Sequence, residues 1–395
     1  MSLKALLVGG AMYEPLYSRL SEFIALTGLE VEVVMTRDHP DLNHRLEREF
    51  SSGAAQYDLI STHTKYAPSQ MQWLTPLTEF ASVDLEDFEP RTVELGRIDG
   101  VLYSLPRNLD VKLLHWRTDL MDAAPTTWEE LLTRATQLTA PPAQFGFAFP
   151  GKESGLFGHF FELQAMAGGQ LFQRDQHGNP ELCANDAAGE WALELLVKLY
   201  RNAGSPELTD WHYDDVATCF RAGHAAISSD WPAGFAAYNA PDSRVAGRFD
   251  LALYPSGPAG RHVYAGCHSF AIPSTVQDRP AALELLRFLI DPASQMLEAR
   301  QGSLPARRSA LGAVRAEAKT GSLEQRRWAL LEGAAATALV PPKFKASPNV
   351  EDAIWRGLQR ALLGEWGVTE ALEHIEVNAR AAMKLEGDGL RGGVA

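Results

Sequence analysis

The chain has 395 residues, too long for one ordinary core, and its length points to two or three domains. Hydrophobic residues make up 46% and charged residues 22%, a balance that excludes a disordered chain. The formal charge is −14, with no run of Lys and Arg, which excludes the basic face that a nucleic-acid partner requires.

The N-terminal part alternates strand and helix. Ala5–Gly9 reads as a strand within an apolar run that Tyr13-Glu14-Pro15 ends, too short to be the core of a signal peptide. Leu16, Leu20, Phe23 and Ile24 share one helical face, and Gly28 supplies the stop. Leu29, Val31 and Val33 alternate with Glu30 and Glu32, the pattern of a half-buried strand. Leu42, Leu46 and Phe50 predict a second helix ending near Gly53, and Tyr57–Ser61 a third strand. This order implies right-handed crossovers and a parallel sheet, hence an α/β class. Ligands of such sheets lie beyond the carboxyl ends of the strands, which directs attention to Gly9–Glu14 and Thr62–Tyr66.

Helices dominate the middle. Thr127 and Glu130 form a capping box ahead of Leu131, Leu132, Ala135 and Leu138, with Trp128 as a packing residue in the first turn. Ala187–Arg201 carries a broad apolar stripe. Phe249–Tyr254 reads as a strand, followed by a turn cluster to Gly260 and a crossing strand over Val263–Ile272. Ala282, Leu285, Leu286 and Leu289 mark a helix that Asp291-Pro292 breaks. Beyond Leu304-Pro305, one helix carries Ile354, Leu358 and Leu362, and Thr369 caps another with Leu372, Ile375 and Ala379. The tail 387–395 is expected to fray. Cys183, Cys219 and Cys267 show no metal-ligand spacing and read as small buried residues, with a Cys183–Cys219 disulfide as the alternative. No apolar stretch approaches the roughly 18–20 residues needed to span a bilayer.

Six short segments carry more. They are 25–33, 51–60, Asp-Gly-Val-Leu-Tyr-Ser-Leu-Pro at 99–106, Pro-Thr-Thr-Trp-Glu-Glu-Leu at 125–131, Ala-Gly-Gly-Gln-Leu-Phe at 167–172 and 220–227. Their order resembles the extracellular solute-binding proteins that feed ABC importers, in the maltose- and glycerol-phosphate-type cluster. The resemblance implies a two-lobe periplasmic binding protein of type II, each lobe a mostly parallel sheet flanked by helices. It also implies three hinge crossings, placed near Asp110–Lys112, His262–Gly266 and Leu304–Ala310. The lobes would be 1–110 with 266–306, and 111–265 with 307–395. It implies further a monomer without cofactor or metal that binds a carbohydrate by hinge closure and docks on a membrane permease. Export to the periplasm follows from the resemblance, with a signal segment lying outside this sequence; on the residues alone a cytoplasmic location stays open.

Sugar recognition uses aromatic faces against the ring and a few polar groups for the hydroxyls. Trp231 resembles the Trp of the family's Gly-x-Trp segment, with Ser229 in place of the Gly, and core filling is its competing role. Tyr13 and Glu14 follow the first strand, although Glu14 equally suits a helix N-terminus. His63, Thr64 and Lys65 resemble the family's polar contact loop, and Arg107, Asn108 and Asp110 enter the first crossing, where a salt bridge is the other reading. Trp116-Arg117 departs from the family's Tyr-Asn, so Trp116 receives no role. Phe157 is a candidate for an aromatic wall, and Phe160 is read as core. Tyr264, Gly266 and His268 lie where the chain recrosses and small residues permit close approach, while Arg307 follows a family-like Gly302–Pro305 segment. Lys65, Arg107, His268 and Arg307 together predict a cationic cleft, suited to a uronic acid, a sugar phosphate or a glycerophosphodiester as well as a sugar. The sequence has no Walker loop, Gly-x-Gly-x-x-Gly, His-Glu-x-x-His or Gly-x-Ser-x-Gly. The reading from a different class is a cytoplasmic two-lobe enzyme or sensor acting on a glycoside or another anionic small molecule.

Overall fold

The computed structural model describes residues 2–10, 13–36, 39–80, 82–174, 176, 180–232 and 234–385, and in it the chain passes three times between two units. The first unit is Met1–Asp110 with Gly266–Lys319, and the second is Val111–Ala265 with Thr320–Ala395.

In the first unit the alternating run becomes the strand Glu30–Thr36, which lies parallel to Ser2–Val8; Leu59–His63 lies parallel on the other side. Two later segments complete the five-stranded sheet: His268–Ala271, antiparallel to Leu59–His63, and Ser104–Pro106 beyond it. The helix Leu20–Thr27 ends where Gly28 takes up the left-handed conformation at φ 71° that a Cβ would disfavour. Phe23 packs with Leu3, Leu7, Phe270 and the buried face of the helix Arg279–Leu289. The third strand starts two residues later than its apolar pattern suggests. Asp58 is occupied in accepting the backbone N–H groups of Lys4 and Gln277, at 2.9 Å each.

The second unit holds a four-stranded sheet in the order Phe249–Ala252, Leu113–Arg117, Ala225–Asp230, Phe145–Ala148. Only the last pairing is parallel, and in the first unit's sheet two of the four pairings are, so both sheets are mixed and not mostly parallel as expected. Its core gathers Trp128, Phe147, Phe160 and Leu163 under the helices Ala187–Ala203, Ser347–Leu363 and Val368–Leu385. The helix Glu153–Met166 is apolar on nearly all sides, which is why it is buried along most of its length. Thr127 caps the helix Trp128–Gln137 by accepting from the Glu130 N–H, while the Glu130 carboxylate returns to Thr126.

Three expectations need correction. Residues 307–319 belong to the first unit, so the third crossing lies after Lys319 and not near Leu304–Ala310. Asp87 holds them there, its carbonyl accepting the Arg308 N–H at 2.7 Å and its carboxylate the Ser309 N–H at 2.9 Å. Val263–Ile272 is two strands, Val263–Gly266 and His268–Ala271, with Cys267 between them. Thr369 lies inside the helix Val368–Leu385 and does not cap it; Glu370 accepts the preceding Gly367 N–H. All three cysteines are free thiols. The tail 387–395 lies outside the described residues.

Gly357 sits mid-helix where a Cβ would fall onto Ile375 Cγ1 of the neighbouring helix. Intrinsic propensity favours Gly357→Ala by about 1 kcal/mol, whereas overpacking costs roughly 1–3 kcal/mol. The variant is expected to melt below the parent, with part of the loss restored by Ile375→Val. A melting temperature above the parent's would show that this helix pair is loosely packed.

Candidate functional site

Two groups of polar and aromatic side chains stand out, one in each unit. In the first unit the strand register sets His268 opposite His63, and the turn after the first strand brings Tyr13 beside them. The imidazoles meet edge-on with centroids 5.0 Å apart, and Tyr13 approaches His268 at 5.5 Å. The His268 Nε2 lies 3.0 Å from Asp110 Oδ2 and 3.2 Å from the Tyr13 hydroxyl. Asn108 donates to Asp110 Oδ1 at 3.2 Å and accepts the His268 backbone N–H at the same distance. Burial pushes the Tyr13 phenol well above its usual range, against the opposing pull of Arg107.

The neighbours support this group. Thr64 is buried, with its N–H and hydroxyl on the Cys267 carbonyl at 3.1 and 3.2 Å. Lys65 is half-buried, its ammonium 4.8 Å over the Tyr66 ring. A Cβ on Gly266 would stand 2.5 Å from His63 Nε2, so the chain passes this imidazole only as glycine. Glu14 is exposed in the first turn of the short helix Glu14–Tyr17.

Arg107 and Arg307 are not available to a ligand in the way the sequence suggests. Arg107 is 1% exposed and grips both carboxylate oxygens of Glu298, with its guanidinium 4.5 Å over the Tyr13 ring. Burial lowers the Arg107 pKa, but Glu298 and Tyr17 outweigh it and the net shift is upward. Arg307 donates to the Ile290 carbonyl at 2.6 Å and to Asp87 at 3.2 Å, and covers the Phe88 ring at 4.0 Å. Both side chains tie segments of the first unit together.

In the second unit Trp231 follows the strand Ala225–Asp230 and is half-buried. Its N–H donates to Asp230 Oδ1 at 2.7 Å, while the other oxygen of Asp230 accepts the Tyr238 hydroxyl. The indole meets Tyr213 edge-on at 5.3 Å and Tyr264 at 5.9 Å. Phe157 lies behind this face in the core, edge-on to Tyr264 at 6.2 Å, so it backs the aromatic wall and does not line it. Ser229 is buried, with its hydroxyl 2.9 Å from His159 Nε2 and bonded to the Tyr254 hydroxyl.

Beneath Trp231 lies an ion pair that the motif reading missed. The Lys112 ammonium, fully buried, sits 2.7 Å from Glu162 Oε1; the other oxygen of Glu162 accepts the Tyr264 backbone N–H at 2.7 Å. His159 Nδ1 stands 3.1 Å from the same carboxylate. Burial alone would raise the Glu162 pKa, but Lys112 and His159 pull it below the usual carboxylate range. Burial and the Lys112 charge push His159 down to about 4, so it is neutral near pH 7. The sequence signal was His159 and Glu162 three apart in a mostly apolar helix, a placement that is costly unless both are partnered. Among the described residues no group of three or more His, Cys, Asp or Glu is placed to hold a metal ion, and no helix is long and apolar enough to cross a membrane.

The family model of the bacterial extracellular solute-binding proteins matches residues 19–320. A probable ABC transporter-binding protein of Deinococcus radiodurans is 25% identical over 292 residues, covering 70% of this chain and 69% of the relative. The mannitol-binding protein of Pseudomonas aeruginosa is 24% identical over 290 residues, covering 64% and 65%. Among solved structures, the maltose-bound MalE3 of T. maritima superposes with a TM-score of 0.87 at 24% identity, covering 97% of this chain and 99% of the other. A solute-binding protein of Agrobacterium vitis with bound D-mannitol gives 0.82 at 18% identity, covering 98% and 99%. These likenesses show the two-lobe, type II periplasmic-binding-protein fold.

Burial raises the Asp230 pKa from 3.8 to about 7, only partly offset by the Tyr238 and Trp231 hydrogen bonds. The folded protein therefore holds a proton that the unfolded chain releases, and stability falls as pH rises between those two values, by about 1.4 kcal/mol per pH unit at most. Asp230→Asn removes that slope while keeping an acceptor for the Trp231 N–H. The melting-temperature gap between variant and parent should widen from pH 4 to pH 7 and then level off. His115 and His159, held down to about 3 and 4 by burial, act in the opposite direction in both proteins and cancel in the difference. A gap independent of pH would contradict the assignment.

Proposed function

The chain belongs to the bacterial extracellular solute-binding proteins, and on that premise we propose that it captures a neutral polyhydroxylated solute, a sugar or sugar alcohol, for an ABC importer. The observation that carries this reading is the pairing of chemistries. Trp231 presents a half-buried aromatic face in the second unit, and Tyr13, His268, Asn108 and Asp110 gather donors and acceptors in the first. An indole face suits the C–H surface of a sugar, and a small set of convergent polar groups suits its hydroxyls.

The charge balance favours a neutral solute over an anionic one. Of the four groups on which a cationic site would rest, Arg107 is spent on Glu298 and Arg307 on Asp87, His268 faces Asp110, and Lys65 lies over the Tyr66 ring. The mannitol-binding relative and the maltose- and mannitol-bound structures have neutral ligands, which supports the same class. A uronic acid or sugar phosphate would require a charge-assisted partner that these pairs do not leave over. The family consists of binding proteins, and we extend that to this chain: it holds and releases its solute unchanged. The partner would be a membrane permease, the location periplasmic and the working form a monomer.

A thermal-shift panel of maltose, D-mannitol, ribitol, glucuronate, glucose 6-phosphate and glycerophosphoglycerol separates the classes. A solute that binds only the folded state at a hundredfold excess over its Kd stabilises by roughly 2.7 kcal/mol. The expected result is a shift with a neutral member, abolished or strongly reduced in Trp231→Ala while that variant stays folded. A shift confined to the anions would sink the neutral assignment, and an unchanged Kd in Trp231→Ala would remove that face from the site.

A further inference from the structure

The Lys112–Glu162 pair is a buried charged group that the binding reading leaves without a role. Both side chains are fully excluded from solvent. Taking an ammonium and a carboxylate out of water costs several kcal/mol each, and apolar residues of similar size often serve stability as well or better. Core filling alone is thus a poor reason for this pair.

Its surroundings supply a better one. The Lys112 ammonium lies 5.7 Å from the Trp231 ring centroid, 5.5 Å from that of Tyr254 and 5.7 Å from that of Tyr264. Three electron-rich rings therefore share one cation, each drawn toward it. Glu162 divides its oxygens between this cation and the Tyr264 backbone N–H. Tyr264 also packs closely on Gly158, one turn before Glu162 on the same helix, where a Cβ would come within 2.7 Å of its ring. Trp231 in turn meets Tyr213 and Tyr264 in T-shaped contacts, with centroids 5.3 and 5.9 Å apart. The indole is half-buried, and its rotation is limited by the rings around the charge.

We propose that Lys112 and Glu162 are positioning residues for solute capture: the pair fixes Tyr264 and, through it and the shared cation, the orientation of the Trp231 face. This rests on the reading above only in assigning Trp231 to the solute; the orientation itself can be measured without any solute.

The test uses the full chain carrying Lys112→Met with Glu162→Leu, which removes both charges together and so leaves neither unpaired. Such a replacement is expected to fold, because exchanging a whole buried pair for apolar groups is often neutral or stabilising. Trp231 is observed by difference, subtracting the fluorescence of the same protein with Trp231→Phe, and its accessibility by acrylamide quenching. The expected result is a folded variant whose Trp231 spectrum and quenching both change, with affinity for D-mannitol or maltose, whichever the parent binds, weaker by about tenfold, the scale of a mispositioned aromatic contact. A folded variant with the parental Trp231 spectrum and quenching would overturn the proposal, whatever its affinity. A changed Trp231 spectrum with affinity unaltered in both this variant and Trp231→Ala would uphold the positioning and defeat the assignment of Trp231 to the solute.

Discussion

Neither unit is built from one continuous stretch, so each strand that leaves one unit has to be secured at once in the other. The chain meets this constraint with two buried ion pairs on either side of the first boundary. Arg107 grips Glu298 in the first unit, and five residues later Lys112 meets Glu162 in the second. The return passage is secured in the same way: Glu162 accepts the Tyr264 N–H, and beyond the boundary Asn108 accepts the His268 N–H. Removing one partner of such a pair leaves an uncompensated buried charge, costing about 3–5 kcal/mol. The pairs add little net stability, yet they leave the strand ends few alternatives.

Where a strand end is pinned, the side chains next to it are pinned too. Asp110, Tyr264 and His268 sit within a few residues of the boundaries, and Trp231 stands on the ring cluster that Lys112 organises. The candidate binding groups are thus by-products of the anchoring, which supplies the preorganisation that tight capture requires. The same anchors consume their own charges. On the proposed reading, that leaves aromatic faces and hydrogen-bonding groups to meet the solute.

Local pattern carried much of this into the sequence. The alternation from Leu29 to Val33, the stop at Gly28 and the spacing of Leu42 and Leu46 are backbone-level signals, and the sheet of the first unit follows from them. The position of Trp231 just after a strand was legible, because the run to Asp230 reads as a strand end and Pro232 turns the chain. The direction of Arg107 and Arg307 was not legible: a guanidinium beside a crossing suits a carboxylate of the protein and one of a solute alike. Only the fold brings Glu298 and Asp87 into reach, each more than 190 residues away in sequence. The third crossing was misplaced for a similar reason. The helix Arg308–Glu317 is amphipathic, and nothing in that pattern says which unit its apolar side covers until Asp87 is seen to hold its start. The Lys112–Glu162 pair was hidden by distance of a different kind, since a buried Glu in a mostly apolar helix signals a partner without naming it.

The central claim is that this chain captures a neutral polyhydroxylated solute and leaves it intact. The most direct measurement saturates the protein with the responding neutral solute, removes the excess, denatures the protein and identifies what is released by mass spectrometry. The account predicts a stoichiometric yield of the unaltered solute after prolonged incubation. Release of a cleaved, oxidised or phosphorylated product, or retention of anionic solutes alone, would contradict it.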